Sequence, residues 1–437
     1  MLNRYEFLKE EEHVQTDTPD RLEERSTRST AVIDYQQAIH CIFQTIKPLA
    51  AVRVPLAEGL DRVLAEDIFS LLELPPADNS AMDGYAFDHA GLADGVLTTI
   101  GFVPAGETFP APVKRGEAIR IMTGAPLPEG VDTVVPIEDI ESLGDHRIRL
   151  RKRPERGANV RYRGEELKAG EKILCQGQHL DPAAIGMLAS AGITRVCVYP
   201  APRVAILSTG DELVELGETP ENGKIINSNA HLLAACLRQD GFIPILLGIA
   251  KDQPGELQAC LRKGLDSDML ITTGGVSVGD RDLVQPTLLE IGFKKLFWQV
   301  ATKPGKPTLF GTIDGRPVFG LPGNPAASAA TYQLYARPAL RMLAGHSRPF
   351  APTLRVTLAA PLKAGGKRLH FLWGNLIIVD GALQFDPSQR QWSGQNRSAV
   401  GAQALFPLPI DSPALAAGDS IDVIVLNLPF GQNPSNN

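Results

Sequence analysis

The residues best suited to chemistry gather where apolar runs of the sequence end. Ser208-Thr209-Gly210-Asp211-Glu212 follows the run 204–207, and Ala250-Lys251-Asp252 follows 243–249. Thr273-Gly274-Gly275-Val276-Ser277-Val278-Gly279-Asp280-Arg281-Asp282 follows 269–272, and Gly320-Leu321-Pro322-Gly323-Asn324-Pro325 follows Val318-Phe319. Run after run therefore delivers glycine, a hydroxyl or a carboxylate. Glycine-rich turns that lead into helices offer free N–H groups to phosphate. Carboxylates at the same edge repel phosphate, so a hard cation such as Mg²⁺ is needed between the two. Taken singly, Asp211, Asp252 or Asp282 reads as a helix cap; carboxylates at successive strand ends read as a site. Neither GxGxxG nor GxxxxGK[ST] occurs in the chain, which disfavours a dinucleotide oxidoreductase and a P-loop NTPase.

Two further constellations stand out. Lys303-Pro304-Gly305-Lys306-Pro307 sets two ammonium groups three residues apart on a proline-stiffened turn, a compact clamp for a small oxyanion. On its own such a segment is a solvated turn, and its neighbourhood with the acidic, glycine-rich edge is what favours a site. Asp78-Asn79-Ser80-Ala81-Met82-Asp83-Gly84-Tyr85 packs several small polar residues into one octet. A plain turn accounts for Asp83-Gly84 but not for the whole stretch.

The elements that must position these residues follow from the patterning. Residues 1–29 are polar, with Glu10, Glu11 and Glu12 in a row, and read as a solvated tail. A helical period over 31–46 starts the folded part. From 85 to 154 short apolar runs alternate with Gly and Pro, predicting a small β-rich insert. A helix over 181–192 and a strand over 196–198 lead to the linker Pro200-Ala201-Pro202. Beyond it, apolar strands (204–207, 243–249, 269–272, 295–300, 318–319) alternate with helices (230–239, 256–264, 283–291, 326–343). Ser228 or Asn229 reads as the N-cap of the first of these helices. This alternation predicts a doubly wound parallel sheet covered on both faces, with ligands beyond the carboxyl ends of its strands. Gly- and Pro-punctuated short strands return after 349, predicting a second β domain.

The 437 residues fit about three domains on length alone. A balance of 43 basic and 50 acidic residues gives −7, and 43 % of the chain is apolar, which excludes a disordered or collagen-like chain. The acidic balance, read with the lack of a Lys/Arg-rich stripe, argues against a nucleic-acid partner. No apolar run is long enough to span a bilayer, and the N-terminus lacks an apolar signal core, so a cytoplasmic protein is expected, with no membrane contact. Cys41, Cys175, Cys197, Cys236 and Cys260 show no CxxC spacing and read as small buried hydrophobes rather than disulfide or zinc partners.

DNSAMDGYAF, IMTGAPLPEG, VAILSTGDEL, TTGGVSVGDRD, KPGKP and GLPGNP occur here in the order found in molybdopterin molybdenumtransferases, the MoeA proteins, which are similar to the E domain of gephyrin. The resemblance runs from about residue 30 to 430. It implies an elongated mixed α/β domain (30–77 and 155–200), an inserted β-rich domain (78–154), a molybdopterin-binding α/β domain (201–346) and a C-terminal β-barrel-like domain (347–430), with tails at 1–29 and 431–437. It also implies a homodimer whose active cleft is shared, and a Mg²⁺-dependent reaction that inserts molybdate into adenylylated molybdopterin, giving molybdenum cofactor and AMP. The molybdopterin adenylyltransferase and cofactor-accepting enzymes are the implied protein partners.

Carried over by motif, Asp83, Thr123, Glu212, Asp252 and Asp282 match polar residues of the family's cleft. Among them Asp252 and Asp282, with Glu212, are the implied Mg²⁺ ligands. Lys303, Lys306 and Pro307 match the molybdate pocket, together with Arg368 and Ser393 on shorter matches. Ser208, Gly210, Gly274, Gly275, Ser277, Gly279, Pro322 and Asn324 complete the implied binding set. Three positions depart from the family's usual pattern: Glu166 stands where Asp is common, Trp392 where glycine is usual, and Gln403 where asparagine is usual. The cysteines lie outside every motif, so no protein nucleophile is expected and catalysis is expected to be mostly positioning. A non-catalytic molybdopterin-binding or scaffold protein is the alternative; such a protein would release no AMP.

Overall fold

The computed structural model describes residues 32–251, 253–276, 283–388 and 391–427. The tails expected at 1–29 and 431–437 lie outside the described residues. The chain forms two compact units, one from residues up to 50 with 199 onward, the other from residues 51–198.

In the 51–198 unit, the alternating insert becomes a six-stranded sheet. Its spatial order is Thr133–Pro136, Gly84–Phe87, Glu117–Ile121, Val96–Val103, Arg147–Leu150, Ile140–Gly144. Inward residues such as Ala86, Ile119, Ile121 and Val134 build one small core, and Phe87, Leu97, Ala118 and Val135 build another. A separate three-stranded sheet (Val52–Pro55, Arg195–Tyr199, Val63–Leu64) packs with the helix Pro182–Ser190, whose N-cap Asp181 accepts from the Ala184 N–H at 2.7 Å. The expectation that the chain has no basic stripe is corrected in this unit. Arg147, Arg149, Arg151, Lys152, Arg153, Arg156, Arg161 and Arg163 are all exposed except for their partial pairing. Arg149, Arg156 and Arg163 form ion pairs with Glu141, Asp132 and Glu73.

The other unit opens with α1 (Tyr35–Thr45), whose Asp34–Gln37 capping box satisfies its first N–H groups. Its α/β part has β1 (Arg203–Thr209), α2 (Ser228–Gln239), β2 (Ile243–Ala250), α3 (Pro254–Gly264), β3 (Met269–Thr273) and α4 (Val284–Glu290). It continues through β4 (Lys294–Trp298), β5 (Leu309–Ile313), β6 (Arg316–Leu321), α5 (Pro325–Thr331) and α6 (Arg337–Leu343). The sheet order is β2-β1-β3-β6-β5-β4. The first four strands run parallel, as expected, so their carboxyl ends share one edge. β5 is an antiparallel strand that the patterning missed, and β4 pairs antiparallel to it, so the sheet is mixed. β2 lies at the opposite edge, which is why its Ile243 and Leu246 are exposed rather than covered.

The single helix expected over 326–343 is three segments, with a π-helical stretch Tyr332–Ala336 between α5 and α6. Pro338 has no N–H to give one turn back, and the wider turn lets Tyr332 and Arg337 converge on Asp240, with Tyr332 Oη at 2.7 Å and Arg337 Nε at 2.9 Å. The N-cap of α2 is Asn227 rather than Ser228 or Asn229.

After residue 349 come β7 (Thr353–Leu358), β8 (Leu369–Val379), β9 (Ala382–Pro387), β10 (Ala404–Leu408) and β11 (Ser420–Val425). They pair in the order β8-β9-β7-β11-β10, and β10 closes back onto β8, which makes a barrel. The two-residue strand Thr302–Lys303 from the α/β part joins this barrel beside β8. Cys175 is exposed and the other cysteines are half-buried, so the expectation of buried thiols is corrected; all are free. Among the described residues no helix is long and apolar enough to cross a membrane.

Candidate functional site

At the shared carboxyl edge of β1, β3 and β6 lies a cavity of about 500 Å³. The end of β1 supplies Thr209, β3 supplies Thr273 followed by Gly274 and Gly275, and the start of α2 supplies Asn227 and Asn229. Glu212 lines the same space. Gly274 holds φ +87°, and a Cβ there would sit 2.6 Å from the Thr209 carbonyl oxygen, so only glycine brings the β3 turn this close to β1.

The polar atoms of this cavity are only half satisfied. Asn227 Oδ1 accepts from Ser208 Oγ at 2.8 Å and from the Ala230 N–H at 3.4 Å. That fixes the amide and leaves Nδ2 without a partner among the described residues. Asn229 Nδ2 donates to Thr273 Oγ1 at 2.8 Å and to the Gly323 carbonyl at 2.7 Å, which leaves Oδ1 unpartnered among the described residues. Among the described residues Thr209 Oγ1 is unpartnered as well. These residues are 2 %, 9 % and 4 % exposed, so water does not freely reach them. A buried polar group left unpaired costs about 1–3 kcal/mol, and three around one cavity mark a place built for a hydrogen-bonding ligand.

A second cavity, of about 450 Å³, shares Pro307, Pro322, Asn324 and Gly394 with the first. Its chemistry is different. Lys303, Lys306 and Arg368 line it, and no carboxylate does among the described residues. The strand pair Thr302–Leu369 and Lys303–His370 brings the lysine turn to β8, and Arg368 Nη1 donates to the Thr302 carbonyl at 3.2 Å. The turn is tied by Thr308 Oγ1 donating to the Gly305 carbonyl at 2.7 Å and by the Val300 N–H donating to the Lys306 carbonyl at 2.9 Å. Opposite, Asn324 Nδ2 donates to Ser393 Oγ at 3.3 Å. Burial, then the charges of Lys303 and Arg368, push the His370 imidazole down to about 4, so it is neutral at pH 7 beside the cations.

The sequence-derived residues divide accordingly. Glu212, Gly274 and Gly275 line the first cavity; Lys303, Lys306, Arg368 and Ser393 line the second; Pro307, Pro322 and Asn324 line both. Ser208 is fully buried and acts through Asn227 rather than facing the cavity. Gly210 stands behind Glu212, whose carboxylate fills the space a Cβ there would need. The first N–H groups of α5, expected to be free for phosphate, are taken: those of Ala326 and Ala327 both donate to the Ser393 carbonyl. Asp252, Ser277, Gly279 and Asp282 lie outside the described residues. Asp83 and Thr123 belong to the 51–198 unit. There Asp83 Oδ1 accepts from the Thr123 N–H at 2.7 Å and from Thr123 Oγ1 at 2.8 Å, which holds its carboxyl below the usual range. Asn227 and Asn229 were missed; the run Asn227-Ser228-Asn229 carried a signal, but it reads equally well as a helix cap.

Family models match along the chain: the MoeA N-terminal region (domain I and II) over residues 33–192, a probable molybdopterin binding domain over 205–342, and the MoeA C-terminal region (domain IV) over 355–426. A molybdopterin molybdenumtransferase of Nostoc sp. is 37 % identical over 381 residues, covering 84 % of this chain and 87 % of that protein. The chain belongs to the molybdopterin molybdenumtransferase family. A Staphylococcus aureus member is 32 % identical over 404 residues, covering 90 % of this chain and 95 % of that one. The MoeA molybdopterin biosynthesis protein of Pyrococcus horikoshii OT3 superposes with a TM-score of 0.77 at 28 % identity, over 90 % of this chain and all of that one (100 %). In molybdenumtransferase terms, the first cavity is lined by the matched molybdopterin-binding region together with Gly394 from the matched C-terminal region. The second is completed by Arg368 and Ser393 from the matched C-terminal region.

Proposed function

We propose that this chain inserts molybdate into adenylylated molybdopterin, giving molybdenum cofactor and AMP. The observation that carries the reading is the junction of two unlike cavities. One holds cations and no carboxylate among its described residues, which suits a tetrahedral dianion. The other holds unpartnered neutral donors and acceptors, which suits a pterin with its phosphate. Molybdate and pterin would thus be held side by side, and most of the rate would come from their alignment. Lys303, Lys306 and Arg368 would orient the oxyanion, with Ser393 donating from the far wall.

Magnesium enters the reading through Glu212, the described member of the expected ligand set. Hydroxyl, amide and carboxylate oxygens surround that part of the cavity, with no His or Cys lining it among the described residues, and this donor set suits a hard cation. Mg²⁺ held by Glu212 with Asp252 and Asp282 would supply charge neutralisation at the phosphoanhydride. The family membership further supports a cytoplasmic homodimer with a shared cleft, to which Asp83 and Thr123 would contribute. It also supports the four-domain division 30–77 with 155–200, 78–154, 201–346 and 347–430, and hand-over between an adenylyltransferase and cofactor-accepting enzymes.

The test is release of AMP from adenylylated molybdopterin by the purified chain. AMP is expected only when molybdate and Mg²⁺ are both present. Binding of the pterin with no AMP released under any condition would leave a scaffold and overturn the enzymatic reading.

A further inference from the structure

Trp392 is 74 % exposed, yet it lines the cation-bearing cavity. A single exposed apolar residue needs no explanation by itself. Here, however, the backbone on both sides of the indole is fastened down. Gln391 donates through Nε2 to the Trp373 carbonyl at 2.8 Å and to the Ser388 carbonyl at 2.9 Å, and its Oε1 accepts from the Trp373 N–H at 3.0 Å. The Trp392 carbonyl accepts from the Gln395 N–H at 3.1 Å and from Ser398 Oγ at 3.3 Å. On the other side the Ser393 carbonyl takes the first N–H groups of α5. The indole is therefore carried at the cavity by a backbone that is fixed on both sides, so little backbone ordering is left for a ligand to impose.

We infer that Trp392 is a stacking platform for a planar heteroaromatic ring of the substrate, held at the mouth of the cavity whose Lys303, Lys306 and Arg368 take the oxyanion. The chemistry of the cavity has two poles, three cations and one indole, and a tetrahedral oxyanion has no flat face to offer the second. Molybdate at the cations and a fused ring of the second substrate on the indole satisfy both poles together. This inference rests on the reading of the cleft as a site for adenylylated molybdopterin, which carries two such rings, adenine and pterin. It goes beyond that reading by giving this chain a named ring contact at the cavity mouth.

The experiment uses the full chain and two probes, AMP and a pterin phosphate ester, titrated separately by calorimetry into wild type, Trp392→Gly and Trp392→Phe. Loss of one base stack weakens binding by about 5- to 150-fold, so Trp392→Gly should weaken one probe by that factor and Trp392→Phe should recover most of it. The probe that responds identifies the ring. The half-saturating molybdate concentration should stay the same in both variants. Equal affinity of each probe for wild type and Trp392→Gly, or a shift confined to molybdate, would overturn the inference. AMP release is scored in parallel: turnover with Trp392-independent ring binding sinks the platform alone, and Trp392-dependent binding without turnover sinks the enzymatic reading alone.

Discussion

At the scale of the residue, the two cavities make separable predictions because they share only uncharged lining residues. Lys303→Ala or Lys306→Ala removes one cation from the oxyanion wall and leaves Asn227, Asn229 and Gly274 untouched. A charge-assisted hydrogen bond contributes about 1.5–3 kcal/mol, so half-saturating molybdate should rise roughly 10- to 150-fold while pterin affinity holds. Collapse of pterin affinity with unchanged molybdate dependence would reverse the assignment of the cavities. His370 adds a pH signature. Its usual value near 6.5 is pushed down to about 4, so between these values the unfolded chain binds a proton that the native chain does not. The stability it contributes is complete above pH 6.5 and is lost as pH falls toward 4. Denaturation midpoints of wild type and His370→Gln should therefore converge or cross over that window. An anion among the cations raises the imidazole's proton affinity, so molybdate should protect wild type more at pH 5 than at pH 7. A pH-independent difference between the two proteins would refute this account.

At the scale of the element, much was legible and the exceptions have physical causes. The parallel strands β1, β2, β3 and β6 announce themselves as apolar runs, and residues after three of them line the first cavity, because parallel strands bring their carboxyl ends to one edge. β5 was missed because Gly311 and Thr312 interrupt its alternation, though pairing with β6 holds it in the sheet. The approach of Arg368 to Lys303 depends on a two-residue strand whose partner lies in the barrel, a contact with no local period to betray it. The start of α2 is harder still, since an asparagine that caps a helix and one that also faces a ligand look alike in sequence. Asn227→Asp separates the two roles. The carboxylate keeps the acceptor for Ser208 and the Ala230 N–H, so the N-cap and the melting temperature should be preserved. The unpartnered donor Nδ2 is replaced by oxygen, so pterin affinity should fall about 10-fold. Unchanged affinity with a lower melting temperature would make Asn227 a cap and nothing more.

At the scale of the unit that carries both cavities, the sequence reads as an α/β domain followed by a separate barrel, whereas the largest apolar core runs through both. Tyr35 of α1 packs against Phe371 of β8 at 5.3 Å between ring centroids and against Tyr335 of the π-helical stretch at 5.8 Å. Phe371, Trp373 and Leu405 of the barrel share one cluster with Ile206 and Ile271 of the sheet. Thr302 meets the same knot, with Oγ1 3.3 Å from Tyr335 Oη, one residue before the lysine turn. Apolar residues more than a hundred positions apart give no shared period, so a continuous core of this kind leaves no trace in the pattern. Its consequence is cooperativity: the sheet and the barrel should open as one unit, because neither can expose its half of the cluster without exposing the other's. Phe371→Ala, at a site 1 % exposed, should cost about 3–5 kcal/mol. Native-state hydrogen exchange should record that loss equally at the slowest amides of β3 in the sheet and of β10 in the barrel. Faster exchange in β10 with β3 unmoved would show two independent folding units, and the oxyanion cavity would then depend on docking between them rather than on a common core.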